Sequence, residues 1–213
     1  MKKGSYLLIL TFLLASLGVL IYFYTLEEHV ISANIYLSKT LQAGLHPFVP
    51  LLRVISSVEY FIIPMSYVLP FYFYFKKQKL LTALTFLSAS SWIVGRILKE
   101  FFLGPCPGVD IVNHLYPMFG GLERFFRTQC FPSGHVFDYV SILGMNLYLC
   151  RKVFRKDKFQ IVNILLTVFI ISTIGLSRVA LGAHWVTDVV AGYLFGGAWL
   201  SLLIYFYRQL SKD

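Results

Sequence analysis

The chain has 213 residues, 57% of them hydrophobic and only 14% charged, with a mean hydropathy of +0.70 and a formal net charge of +9. That composition excludes an ordinary soluble domain and points to an integral membrane protein. The positive charge does not signal a nucleic-acid binder, because the basic residues fall between apolar runs and not on one face of a folded domain.

Residues 1–213 read as a single transmembrane domain, an all-α bundle with six spans at 6–26, 60–75, 80–98, 136–150, 159–176 and 185–207. The first span follows Lys2 and Lys3. No small-residue cleavage site follows it, only Glu27-Glu28-His29, so it reads as an uncleaved span and not a signal peptide. Between the first two spans, Ile31, Ile35, Leu37, Leu41, Leu45 and Phe48 recur at roughly helical spacing. They predict an amphipathic helix at the interface, interrupted by His46-Pro47 and Val49-Pro50. Residues 101–132 form a long connection, and long connections are usually functional. Its aromatics and Gly120-Gly121 predict an ordered lid or groove. Residues 177–184 make a short fifth connection.

Orientation follows from lysine and arginine. Lys2 and Lys3, Lys76 to Lys79, the Arg151 to Lys158 cluster, and Arg208 with Lys212 fall on alternate connections. That side is expected to be the cytoplasm, with both termini on it. The 27–59, 101–132 and 177–184 segments then share the opposite side.

The chemistry-bearing residues lie on that opposite side. In Ser177-Arg178-Val179-Ala180-Leu181-Gly182-Ala183-His184-Trp185-Val186-Thr187-Asp188, His184 and Asp188 are four apart. On a helix that spacing puts both on one face. A carboxylate fixes the imidazole tautomer and raises its basicity, as a nucleophilic histidine requires. Arg178 adds a charged fork suited to phosphate or carboxylate. Phe131-Pro132-Ser133-Gly134-His135 precedes an apolar run; it offers a hydroxyl, a backbone amide at a helix start, and a second histidine. Pro-Ser-Gly is also a good helix start by itself. Together these residues suggest phosphoryl transfer through a phosphohistidine.

SRVALGAHWVTD and PSGH resemble the third and second motifs of the type 2 phosphatidic acid phosphatase superfamily. The first motif, K, six residues, R-P, is matched by Lys99 to Pro107 except that Cys106 stands at the arginine. The resemblance implies a six-helix membrane phosphatase acting on a membrane lipid phosphate, monoester or diphosphate, with no metal and no cofactor. It implies His184 as nucleophile, Asp188 as its partner and His135 as general acid, with phosphate held by Lys99, Ser133, Gly134 and Arg178. Alternatives are a lipid phosphotransferase using the same phosphohistidine, or a catalytically silent lipid-binding relative, because Cys106 removes one positive charge. Arg124 or Arg127 could replace that charge. Cys106 and Cys130 could form a disulfide on an oxidising side or stand as two free thiols; Cys150 lies near the cytoplasmic end. Asp138, inside the fourth span, should face the bundle interior and could orient His135. Glu27, Glu28, His29, His46 and His114 read as surface residues and not metal ligands, and Glu123 as a head-group contact or a solvated loop residue. The short tail with twin lysines looks bacterial, which predicts an inner-membrane protein with its active site in the periplasm. The partners implied are the lipid substrate and the bilayer.

Overall fold

A computed structural model describes residues 4–57, 59–104, 106–107, 129–153 and 157–211. Among these the chain is all helical, with no strand. The elements are α1 (Ser5–Tyr24), α2 (Glu28–Leu45), α3 (Val49–Ser57), α4 (Glu59–Ser66), α5 (Val68–Phe75), α6 (Lys79–Ala89), α7 (Ser91–Phe101), α8 (Gly134–Val153), α9 (Asp157–Ala180) and α10 (Val186–Leu210), with a short 3-10 turn at His46–Phe48.

Among the described residues three helices, α1, α9 and α10, are long and apolar enough to cross a membrane. Two bent pairs raise the total to five if each pair is one span. The protein is thus an integral membrane protein. The Gly134–Val153 helix is long enough by rise alone, about 30 Å for 20 residues. It carries Asp138, Ser141 and Asn146 because it sits inside the bundle, against α7, α9 and α10. A helix enclosed by protein does not need the all-round apolarity that lipid demands.

Two predicted spans are broken. The stretch 60–75 divides at Tyr67 into α4 and α5; Pro70 has no N–H to continue the ladder, and Pro64 lies inside α4. The stretch 80–98 bends by 47° between α6 and α7. The break falls in Ser88-Ala89-Ser90-Ser91, whose hydroxyls bond to other helices. Ser88 Oγ donates to the Ser141 carbonyl at 3.0 Å, Ser91 Oγ to Asp138 Oδ1 at 2.6 Å, and Ser90 Oγ is 3.1 Å from Tyr67 Oη. Serine competes with the helix for hydrogen bonds, which localises a bend.

The expected helix is present as α2, but its apolar residues are divided between the outside and the bundle, with Val30 buried and Leu41 packed against Val136, Val179 and Val189. Ile31, Leu37 and Phe48 are exposed, whereas Asn34 and Ser38 are buried against the protein. Asn34 Nδ2 donates to Thr187 Oγ1 at 3.0 Å, and Gln42 Nε2 to the Val179 carbonyl at 3.1 Å. The buried polar side chains of α2 thus find their partners in the bundle.

α10 organises the core. It packs against α1 on one side and α8 on the other. Gly192 and Gly196 permit the second contact: a Cβ at Gly192 would stand 2.8 Å from the Ser133 carbonyl oxygen, and one at Gly196 3.0 Å from that of Phe137. Small residues let membrane helices approach backbone to backbone. α1 is 11% buried across its span window and α10 44%, so α1 is mostly lipid-facing. Gly4 at the start of α1 lies beside Gln209 and Arg208. The described chain ends therefore meet at one end of the bundle, a helix length from Asp188 at the other.

Candidate active site

The site end is built on two turns. α9 runs four residues past the predicted 159–176 span, so Ser177 and Arg178 belong to its last turn and not to a connection. Gly182, at φ 68, stops the helix in the left-handed region. The Ala183 N–H donates to the Arg178 carbonyl at 2.9 Å and the Gly182 N–H to the Val179 carbonyl at 2.9 Å. That pair of bonds is the Schellman arrangement, which a glycine favours. The His184 N–H also reaches the Arg178 carbonyl, at 3.2 Å. The turn thus sets His184 relative to Arg178 by backbone alone.

His184 and Asp188 do not share a helix face. His184 lies in the turn, two residues before α10, and Asp188 in the first turn of α10. Their meeting is made across the helix start: His184 Nδ1 is 3.4 Å from Asp188 Oδ2, and both residues are 3% exposed. The same Oδ2 accepts the Trp185 backbone N–H at 3.0 Å. Asp188 therefore caps the helix, where a carboxylate suits the macrodipole, and faces the imidazole. An Nδ1–H held on the carboxylate leaves Nε2 with the lone pair.

The second turn is Phe131 to Gly134, which contains a cis Phe131–Pro132 peptide. The Ser133 N–H donates to the Asp188 carbonyl at 2.9 Å, joining this turn to the start of α10. The Ser133 side chain is fully buried, and its hydroxyl has no hydrogen-bond partner among the described residues. α8 starts at Gly134, where a Cβ would lie 3.9 Å from Lys99 Nζ. An ammonium, a helix start and a buried hydroxyl thus meet at one point, which is the composition of an anion site. His135 follows on the first turn of α8, half-buried.

Arg178 is 1% exposed, and its Nη1 donates to Ser56 Oγ on α3 at 2.7 Å. Ser56 carries no sequence signal; it is one serine in a long segment. Asp138 is buried and accepts from Ser91. Cys106 and Cys130 are joined by a disulfide, and Cys150 is free. The bond ties the end of the first motif to the residue before Phe131. The Cys130 N–H donates to the Gly104 carbonyl at 3.0 Å, and Cys130 Sγ lies 3.9 Å from the Ala183 carbonyl oxygen. Glu27, Glu28, His29 and His46 are exposed. Arg124, Arg127, His114 and Glu123 lie outside the described residues.

Residues 64–212 match the family model of the PAP2 superfamily. The fold is similar to the crystal structure of a transmembrane PAP2-type phosphatidylglycerolphosphate phosphatase from Bacillus subtilis. The TM-score is 0.74 and the identity 20%, covering 100% of this chain and 99% of that one. No curated protein matches the chain.

Proposed function

The chain belongs to the PAP2 superfamily, and we propose that it is a membrane lipid phosphatase working through a phosphohistidine. The observation that carries this reading is the buried His184–Asp188 pair, one backbone hydrogen bond from Ser133. Nε2 of His184 attacks phosphorus in line with the lipid oxygen. The N–P bond forms as the P–O bond to the lipid breaks, and His135 gives its proton to the leaving alkoxide. Asp188 steadies the imidazolium character that develops on His184. His135 then takes a proton from water, which attacks phosphorus, frees His184 and releases inorganic phosphate. Lys99, Arg178, the Ser133 hydroxyl and the Gly134 amide hold the phosphoryl oxygens, and this electrostatic positioning supplies most of the rate. No step calls for a metal. We place the site on the periplasmic face of a bacterial inner membrane with both termini cytoplasmic, on the distribution of basic residues.

The experiment is phosphate release by detergent-purified protein from a panel of lipid phosphates, with His184→Ala alongside. Phosphatidylglycerophosphate and phosphatidic acid come first, the former because the similar solved structure is named for it. Release that disappears in His184→Ala is the expected result. Release that persists in the variant, or is absent in folded wild-type protein, overturns the reading.

A further inference from the structure

A second guanidinium stands beside this site, outside the mechanism just described. Arg53 precedes Ser56 by three residues, so both leave the same side of α3. Ser56 receives the Arg178 Nη1 hydrogen bond. Ile55, next to it, accepts a hydrogen bond from Tyr139 of α8 at 3.4 Å. This part of α3 therefore lies against α9 at the turn that carries Arg178, and Tyr139 reaches it from α8, one helical turn beyond His135. Arg53 is half-buried, and its Nε is out of solvent with no hydrogen-bond partner among the described residues. Among the described residues no acidic side chain forms an ion pair with it. A guanidinium N–H buried without an acceptor is destabilising, and an anion removes that cost.

We propose that Arg53 is a further anion-binding residue of the site, taking an oxygen of the phosphate group. It supplies the forked charge that a disulfide-bonded Cys106 cannot. The inference rests on the lipid-phosphatase reading for the substrate, but not for the anion.

The test uses two readouts on the full-length protein in detergent. One is thermal stabilisation by inorganic phosphate; the other is phosphate release from dioctanoyl phosphatidic acid. Arg96→Gln is the control, since Arg96 is exposed and pairs only loosely with Glu100, at 3.8 Å. Arg53→Gln is expected to need about tenfold more phosphate for half-maximal stabilisation, and to lose kcat/KM by about as much or more, while Arg96→Gln matches wild type. If Arg53→Gln does not fold, Arg53→Lys decides: it keeps a charge without the fork, and phosphate affinity equal to wild type contradicts the assignment. Where phosphate stabilises no variant, kcat/KM decides in the same sense. Wild-type turnover with Arg53→Gln equal to it in both readouts overturns the role of Arg53 and leaves the phosphatase reading intact. Phosphate binding weakened in Arg53→Gln, with no lipid turnover in wild type, does the reverse.

Discussion

At its N-terminal end α10 is held mainly by buried hydrogen bonds; at its C-terminal end it is held mainly by apolar side chains, with an Arg208–Tyr6 hydrogen bond at the exposed rim. The first end gathers Asp188, the Ser133 amide, the Trp185 amide, His184 and the Asn34–Thr187 pair, most of them buried. The second end packs Leu203 and Tyr207 against Phe73, Leu84, Met145 and Leu149. Polar contacts fix directions, because they fail outside a narrow range of angle and distance. Apolar packing fixes proximity and tolerates small shifts. One helix therefore anchors the fold at one end and aims the chemistry at the other.

This contrast is open to attack from either end. The largest effect is expected from Asp188→Asn, which keeps the shape and removes the charge facing His184. Phosphate release should fall by about a thousandfold or more, by analogy with carboxylates that orient a catalytic histidine. The thermal midpoint should fall only modestly, by the weakened cap at Trp185. At the other end, Leu203→Ala should cost about 2–5 kcal/mol of stability through the cavity it leaves. Its kcat below the melting range should stay within a few-fold of wild type. A Leu203→Ala protein with normal stability and lost activity contradicts the division of labour.

Replacing Cys106 and Cys130 by serine opens a link across 24 positions in sequence, worth about 3 kcal/mol by loop-closure arguments. Because the bond abuts the Gly182–His184 turn, activity should fall together with stability, and reductant should reproduce both effects in wild type but not in the variant. The smallest effect is expected from Ser56→Ala. It removes the acceptor for Arg178 Nη1, a hydrogen bond to a charged group worth about 1.5–3 kcal/mol. This should appear as a roughly tenfold or larger loss of kcat/KM together with a lowered thermal midpoint.

Much of this end of the molecule was legible in the sequence. His184, Asp188, Ser133, Gly134 and Arg178 stand in local patterns, and the structure gathers His184, Asp188 and Ser133 with Lys99 beside Gly134. Local spacing misjudged how His184 meets Asp188. A four-residue interval suits one helix face, but Gly182 ends α9 and Trp185 starts α10 between motif and helix. Spans 60–75 and 80–98 looked continuous because hydropathy averages over Pro70 and over the Ser88–Ser91 run, where individual hydroxyls leave the helix for partners elsewhere. The inward contacts of Asn34 and Gln42 on α2, and Ser56 beneath Arg178, depend on tertiary neighbours more than a hundred residues away. No periodicity in the sequence carries that information.

In the proposed mechanism His184 carries the phosphoryl group between lipid and water. The direct measurement is to mix wild-type protein with lipid phosphate labelled on the phosphoryl group, quench within milliseconds in alkali, and locate label on the protein. A phosphoenzyme stable to alkali and lost in acid, mapped to His184 and absent from His184→Gln, is the expected result. Rapid phosphate release with no label trapped on wild type, or label that remains in His184→Gln, would contradict it.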